Sequence, residues 1–353
     1  MIYILAALLI FGFLIAIHEL GHFLAAKICN VPVLEFSIGM GPKIFQKQGK
    51  ETLYSLRLFP VGGFCAMDGE DEDSDNPRAL NHQGFWQKLL IYAAGAAMNF
   101  VAGVLIILCL YAGASAFYSP QITGFAPEFS LQGENGLQIG DTIYAIDGER
   151  VYLYNDLGLL LSRGNGQDFD LIVLRGGKKV VLKDFPMQKQ EYTTSDGTRH
   201  TGYGIYFGAE KATLGSKLHY TWYNALDFVR MVRLGLQDLL AGNAGIDDLS
   251  GPVGIVSTIT QVGEQSKTWQ DAVGNIAYLA ALIAVNLAVM NLLPLPALDG
   301  GKIFFLLINA LSYALFRKHI PAKYENYVHI VGLVLLLGLI LVVTFHDVLR
   351  IFL

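Results

Sequence analysis

Long apolar runs without charged residues dominate the hydrophobic pattern of this chain. A helix that crosses a bilayer needs roughly 20 predominantly apolar residues. Four runs reach or approach this length and predict membrane-spanning helices: residues 1–26, 89–117, 272–298 and 330–345. The first run is continuous only if His18, Glu19 and His22 are tolerated within it. Residues 303–316 form a further apolar run that is short for a crossing, and we predict that it is re-entrant or interfacial.

A different pattern occupies residues 119–211, where short alternating segments are separated by glycine turns. The Gly140-Asp141 turn leads into a strand pattern, and Gly176-Gly177 separates two more at 170–175 and 179–183, which is typical of a hairpin. This region looks like a PDZ domain, a β-rich fold that binds extended peptides by adding them to a sheet edge. The alternative is a small β domain that serves only as a size filter above a site in the membrane.

Two further segments have patterns of their own. Residues 33–67 alternate, contain many glycines and stay fairly apolar, which predicts a β-hairpin that dips into the membrane. The more ordinary alternative is a cytoplasmic hairpin that caps the helices. The six acids within residues 68–75 predict a solvated linker.

Apolar residues also recur at helical spacing after the β-rich region: Leu214, Leu218, Trp222, Val229, Val232, Leu236 and Leu239. This pattern predicts an amphipathic helix that lies on the outer leaflet. Packing of the same residues against the PDZ-like domain is the competing explanation.

Composition supports a chain whose surface mostly faces lipid. Hydrophobic residues make up 53% and charged residues 16%, with a mean hydropathy of +0.43, whereas soluble domains carry about a quarter charged residues. The net charge of −5 argues against a nucleic-acid partner, which requires a basic surface. Three scattered cysteines are too few for a disulfide framework or a cysteine metal site. The chain is therefore predicted to be an integral membrane protein whose first partner is the bilayer.

The distribution of positive charge predicts the orientation. Seven Lys and Arg residues lie within positions 27–88, and Arg317, Lys318 and Lys323 precede the last run. Positive loops stay in the cytoplasm, so the N-terminus, residues 118–271 and the C-terminus are predicted to lie outside. A cleaved signal peptide is the alternative interpretation of the first run, but this run lacks a positive n-region and a clean small-residue cleavage site.

The first run contains His18-Glu19-Leu-Gly-His22, an H-E-x-x-H motif. Residues i and i+4 lie on one helix face, so both imidazoles can reach one zinc ion, and Glu19 can act as general base on a water. His18 follows Ile2 by about 24 Å of helix rise, which places the motif in the cytoplasmic third of the bilayer. Ionisable residues at such depth are usually functional. The alternative is a helix end whose polar residues contact headgroups.

A catalytic zinc site needs a third protein ligand and an open position. Asp299 follows the third run in the same leaflet, directly after the helix breakers Pro294 and Pro296. Irregular backbone at membrane depth is tolerated where it lines an enclosed or wet cavity, so Asp299 is the candidate. The alternative is a loop acid just past a helix end. Two histidines and a carboxylate also suit iron.

These residues resemble the site-2 protease family of intramembrane zinc metalloproteases, in its bacterial RseP-type branch. The matching motifs are A-I-H-E-L-G-H-F at 16–23, F-S-I-G-M-G-P at 36–42, F-P-V-G-G-F at 59–64, G-P-V-G-I at 251–255 and N-L-L-P-L-P-A-L-D-G-G at 291–301. The resemblance implies that Zn²⁺ is bound by His18, His22 and Asp299, with Glu19 as the catalytic base. It also associates Asn291 and Pro294 with substrate handling.

The chain departs from this family in two places. The family often has Gly-Pro followed by Asn in the second span, whereas this chain reads Gly95-Ala-Ala-Met-Asn99 without the proline. The enterobacterial RseP-type proteins carry two tandem PDZ modules, whereas this chain has room for one.

The resemblance implies an enzyme of the bacterial inner membrane that cleaves single-span membrane proteins, such as anti-sigma factors or signal-peptide remnants. The predicted fold is a polytopic α-helical membrane protein with four transmembrane helices, a membrane-associated β-hairpin region and one inserted PDZ-like domain. Its segments are a first transmembrane helix (1–30), the β region with the acidic linker (31–84), a second helix (85–118), a periplasmic PDZ-like domain (119–211), a membrane-surface region (212–271) and the last two helices (272–353).

Two other functions stay open at this point. One is a catalytically silent scaffold that binds membrane proteins through its PDZ-like domain, although a scaffold does not need all four of His18, Glu19, His22 and Asp299. The other is a metal transporter, although the segments that carry the motifs are not repeated as they are in transporters with inverted symmetry. The sequence does not define the substrate, the cleavage position or the oligomeric state.

Overall fold

The structure is a computed structural model that describes residues 2–70, 72–164, 166–193, 199–245, 248–318 and 321–352. Its helices are α1 (Ile2–Ile28), α2 (Phe85–Ala112), α3 (Asp156–Arg163), α4 (Leu214–Ala241), α5 (Pro252–Gln265), α6 (Trp269–Asn291), α7 (Asp299–Phe316) and α8 (Ala322–Phe352). Its strands are β1 (Val33–Gln48), β2 (Leu53–Met67), β3 (Ala116–Phe125), β4 (Thr142–Ile146), β5 (Glu149–Arg150), β6 (Phe169–Arg175), β7 (Lys178–Phe185), β8 (Gln190–Thr193), β9 (Arg199–Gly202) and β10 (Ile205–Lys211).

The chain forms two compact units, which are Met1–Ile107 with Phe228–Leu353, and Leu108–Asp227. Among the described residues, five helices are long and apolar enough to cross a membrane: α1, α2, α6, α7 and α8. Several such helices in one chain indicate a multi-pass membrane protein. Because α7 starts at Asp299 instead of Ile303, it reaches 18 residues, and the prediction of four crossings stays a prediction.

The predicted hairpin of residues 33–67 is present as β1 and β2. Phe36 pairs with Cys65 on one side and with Tyr54 on the other, so the first half of β1 lies between two segments of β2. Val33 and Cys65 are buried in a cluster that includes Ala26 of α1. This packing fixes the hairpin against the helix that carries the H-E-x-x-H motif.

The second unit contains a sheet in the order β10-β3-β4-β6-β7, with β5 paired to β4. The predicted Gly176-Gly177 hairpin between β6 and β7 is confirmed, and both glycines have positive φ (56° and 79°), as the tightest hairpin turns require. Arg175 binds the buried Asp141 carboxylate through two hydrogen bonds, from Nε at 2.9 Å and from Nη2 at 2.8 Å. This pair ties the Gly140-Asp141 turn to the end of β6.

The first half of α4 also belongs to the second unit, and it has two different faces. Tyr220 is buried and stacks on Phe117 with ring centroids 4.4 Å apart, so one face packs on the β domain. Leu214, Leu218 and Trp222, spaced four residues apart, remain exposed by 50% or more on another face. The exposed stripe is what an interfacial helix would present to a bilayer, and its membrane contact remains a prediction.

Candidate metal centre

Three ligand atoms converge between α1 and the start of α7. The Nε2 atoms of His18 and His22 are 3.2 Å apart, because four residues along a helix bring side chains onto one face. Asp299 Oδ2 lies 3.2 Å from His18 Nε2 and 3.3 Å from His22 Nε2. The three atoms therefore form a nearly equilateral triangle, with one donor from each side chain.

This triangle fits a zinc ion. Tetrahedral zinc with bonds of about 2.0–2.1 Å to nitrogen and oxygen separates neighbouring ligand atoms by about 3.3 Å, which is the spacing found here. Asp299 Oδ2 is buried and accepts no hydrogen bond from the described residues. Two imidazoles and one carboxylate leave the fourth position for water or substrate, as in catalytic zinc sites.

Asp299 reaches the triangle because the chain breaks between α6 and α7. Helix α6 ends at Asn291, and residues 292–298, which we name the ligand loop, connect it to Asp299 at the first turn of α7. A Cβ on Gly300 would fall 2.1 Å from the Leu293 carbonyl oxygen, so the tight return of the chain requires glycine there. The break that the two prolines predicted is present.

Hydrogen bonds from α2 orient both histidines. His22 Nδ1 lies 2.8 Å from the Ile91 carbonyl oxygen, to which it donates, so Nε2 keeps a lone pair that is available to a metal ion. The Nδ2 atom of the buried Asn99 amide lies 3.4 Å from His18 Nδ1. The sequence indicated Asn99 as a family position without a role, and the structure places it directly behind His18.

Glu19 lies on α1 beside the hairpin. A Cβ added to Gly63 of β2 would come within 3.4 Å of Glu19 Cγ, so the strand runs directly against this side chain. The hairpin therefore lies beside the H-E-x-x-H motif. Gly63 pairs with Ile38 of β1.

Two features of the centre were not predicted. Lys302, one turn after Asp299, donates from Nζ to Glu70 Oε1 at 2.6 Å. Glu70 belongs to the acidic run that was predicted to be a solvated linker, so for this residue the prediction was wrong. Gly95 of α2 lies directly against both imidazoles. No pattern in the local sequence indicated these contacts, because each one joins elements distant along the chain.

The two residues associated with substrate handling lie at the same break. Asn291 is the last residue of α6, and the exposed Pro294 is in the ligand loop. Neither belongs to the triangle of ligand atoms. Their role in substrate handling stays a prediction.

The sequence is similar to known proteins along almost its whole length. The model of peptidase family M50 matches residues 6–339. A Clostridium perfringens protein whose name describes it as a zinc metalloprotease is 37% identical over 349 residues, which cover 98% of each chain. A Clostridium acetobutylicum protein with the same description is 33% identical and covers 98% of this chain and 97% of its own. The regulator of sigma-W protease RasP of Bacillus subtilis is 28% identical and covers 99% of both chains.

Proposed function

The chain belongs to peptidase family M50, the site-2 proteases, and is a zinc metalloprotease; from this premise we propose that it hydrolyses peptide bonds within or beside the transmembrane segments of single-span membrane proteins. The observation that carries the proposal is the triangle of His18, His22 and Asp299, built on helices that are long and apolar enough to cross a bilayer. A zinc site on such helices meets substrates that are themselves in the membrane.

In this proposal His18, His22 and Asp299 would hold the zinc ion. Zinc supplies a Lewis acid for the scissile carbonyl and acidifies water. The Glu19 carboxylate accepts a proton from the attacking water and delivers it to the nitrogen of the leaving amine as the C–N bond breaks. Asn291, at the end of α6, is placed to hold substrate backbone.

The hairpin offers a way to present the substrate. A transmembrane helix hides its amides in its own hydrogen bonds, so a scissile bond must first become extended. Residues 63–66 of β2 pair with β1 alone among the described strands and pass beside Glu19. A substrate segment added along this edge would gain backbone hydrogen bonds at the catalytic base.

We also propose the four-span topology, in which α7 is re-entrant or interfacial. With four crossings, Arg317, Lys318 and Lys323 lie on the same side as the positive loop between α1 and α2. A fifth crossing by α7 would move these three residues to the opposite side, against the positive-inside rule. The N-terminus, the C-terminus and the β domain then lie outside, and the metal centre lies toward the cytoplasm.

The β domain of the second unit is proposed to be PDZ-like and to face the periplasm. Its antiparallel sheet carries the β6–β7 hairpin and a single helix, α3, between β5 and β6. Sheet-edge capture of an extended peptide and exclusion of bulky substrates are both compatible with this architecture. These two functions are distinguished by the cleavage of reporters that do or do not carry a folded domain on the outer side. If the β domain only excludes bulky substrates, removal of the reporter's outer domain is sufficient for cleavage, whereas peptide capture does not predict this.

The proposed location is the inner membrane of a bacterium, and the proposed substrates are membrane-bound anti-sigma factors or signal-peptide remnants. The support for this is the likeness to bacterial zinc metalloproteases, among them one named as a regulator of sigma-W. Cleavage of an anti-sigma factor would release its cytoplasmic part from the membrane.

The proposal is tested with a tagged single-span reporter and purified protein in detergent. Wild type and Glu72→Gln, which changes an exposed acid of the linker, should both release a product, whereas Glu19→Gln should bind zinc and release none. Equal product from Glu19→Gln would contradict the assigned base. Zinc binding without product in wild type, across reporters trimmed on the outer side, would favour the scaffold function.

A further inference from the structure

The ligand loop is held by the last helix, α8. The backbone N–H of Ala297 donates a hydrogen bond to His329 Nδ1 at 2.9 Å. Ala297 has φ of 69°, in the left-handed region that residues with a Cβ rarely adopt. The hydrogen bond therefore fixes the one loop residue whose backbone conformation is unfavourable, two positions before Asp299.

The ligand loop also packs closely on α8. A Cβ on Gly332 of α8 would lie 2.1 Å from Pro296 Cβ, so the loop packs directly on the helix at a position that only glycine allows. A Cβ on Gly301 of α7 would lie 3.2 Å from His329 Cε1 and 2.4 Å from the Leu295 carbonyl oxygen. The imidazole thus fills the space between the ligand loop and the start of α7, where Phe305 also contacts it.

The Ala297 N–H needs a hydrogen-bond acceptor, and α8 provides it. Irregular backbone at membrane depth must find its hydrogen-bond partners within the protein. When His329 Nδ1 accepts from Ala297, the neutral ring carries its proton on Nε2. That nitrogen is buried and lies 4.0 Å from Glu325 Oε1, one turn earlier on the same helix.

We propose that His329 is a positioning residue for the metal centre: by binding the Ala297 N–H, it sets the path of the ligand loop and hence the position of Asp299. The last helix, which provides none of the three ligand atoms of the candidate site, then contributes to the metal affinity. This inference rests on the proposed function only in that Asp299 is a zinc ligand. The inference goes beyond the proposed function, because neither the H-E-x-x-H motif nor the ligand loop predicts that α8 contributes to metal binding.

The test measures zinc affinity of the full-length protein in detergent by competition with a chelator of known affinity. His329→Leu keeps an apolar volume but removes the acceptor, and we expect zinc affinity to fall about tenfold to a hundredfold, as for outer contacts of metal ligands. His329→Asn places an oxygen where Nδ1 was, and we expect affinity within a few-fold of wild type. Gly332→Ala should weaken zinc binding like His329→Leu, because its methyl group displaces Pro296.

Gly338→Ala is the matched control, since a Cβ at this position on the same helix meets nothing within 4 Å, and its zinc affinity should equal that of wild type. Wild-type affinity in His329→Leu, together with loss of zinc from Asp299→Ala, would overturn the role of His329 and leave the proposed function standing. His329→Asn as weak as His329→Leu would overturn the acceptor role. Wild-type zinc affinity in Asp299→Ala would overturn the assigned metal site itself.

Discussion

Gly95 of α2 lies so close to His22 of α1 that a Cβ on Gly95 would fall 2.4 Å from His22 Nε2. The same Cβ would lie 2.7 Å from His18 Cε1. On the facing side, a Cβ on Gly21 would lie 2.3 Å from the Ala94 carbonyl oxygen. The two helices therefore meet through glycines at the level of the metal centre, as small residues allow in membrane helix pairs.

This close approach predicts that Gly95→Ala disrupts metal binding. The added methyl group must displace an imidazole or separate the helices, and overpacking of this kind costs about 1–3 kcal/mol. Displacement of an imidazole lowers zinc affinity, and separation of the helices lowers thermal stability. We expect at least a tenfold loss of zinc affinity, measured by chelator competition. Gly274→Ala on α6, where a Cβ meets nothing within 4 Å, is the control, and an unchanged zinc affinity in Gly95→Ala would contradict the prediction.

Asn99 is predicted to orient His18. When Nε2 of His18 serves as a ligand, Nδ1 carries the ring proton and needs an acceptor. In the structure the Asn99 Nδ2 atom lies 3.4 Å from this nitrogen, and the buried Oδ1 of the same amide has no hydrogen-bond partner among the described residues. A half-turn of the amide exchanges these two atoms and brings the acceptor to the His18 ring. Asn99→Ala should lower zinc affinity about tenfold to a hundredfold.

Asn99→Asp distinguishes orientation from packing. A carboxylate presents an oxygen to the His18 ring in either orientation, and carboxylate–histidine–zinc arrangements are common. Zinc affinity in Asn99→Asp should therefore stay close to that of wild type. If the alanine and aspartate variants bind zinc equally weakly, the amide contributes only volume.

The three candidate metal ligands could be predicted to lie together because local rules place them. The four-residue spacing of His18 and His22 places both on one helix face, and Asp299 follows helix breakers at the matching depth. The contacts of Gly95 and His329 could not be predicted because they form where distant helices meet. No local pattern encodes such an approach, so only the packed structure shows it.

Helix α7 illustrates a second limit of the sequence. The apolar run in the sequence starts at Ile303 because Asp299 and Lys302 are charged. In the structure Asp299 faces two histidines and Lys302 pairs with Glu70, so both charges have partners and the helix extends over them. Hydropathy treats each charged residue as if it faced lipid, whereas charged residues at membrane depth usually pair inside the protein, which lowers the cost of burying them.

The hairpin is predicted to lose stability in acid through Glu35. Burial raises the pKa of the Glu35 carboxyl, but hydrogen bonds from Ser55, Arg57 and Lys43 outweigh it and hold this pKa below its usual value. A lowered pKa in the folded state means that the carboxylate stabilises the fold above about pH 4.5, its ordinary pKa, and that this contribution declines as the pH falls through the folded value.

The measurement is the thermal unfolding midpoint of wild type and Glu35→Gln in detergent at several pH values. Wild type should be more stable at pH 7, and the difference between the two midpoints should shrink below about pH 4.5. Glu128→Gln, at an exposed position of the β domain, should show no such difference. A gap that widened on acidification would have the wrong sign for a carboxyl of lowered pKa.

Asp347 of α8 is predicted to anchor the start of α5. Its Oδ2 accepts from the backbone N–H groups of Gly251 at 2.9 Å and Gly254 at 2.8 Å, which belong to the Gly-Pro-Val-Gly-Ile motif. The first N–H groups of a helix have no partner within it, so this buried carboxylate caps α5 from another helix. Cβ atoms on Gly251 and Gly254 would lie 2.9 Å and 2.8 Å from its oxygens, which explains both glycines.

Removing this anchor should destabilise the protein without disturbing the metal centre. Asp347→Ala leaves two N–H groups without their acceptor, at a cost of about 1–3 kcal/mol for each one that stays buried, so the thermal unfolding midpoint should fall while zinc affinity is retained. Asp347→Asn keeps an acceptor oxygen and should lose less. Arg350→Ala, an exposed position in the next turn, should leave the midpoint unchanged. Equal stability of wild type and Asp347→Ala would mean that the start of α5 is held by its other contacts.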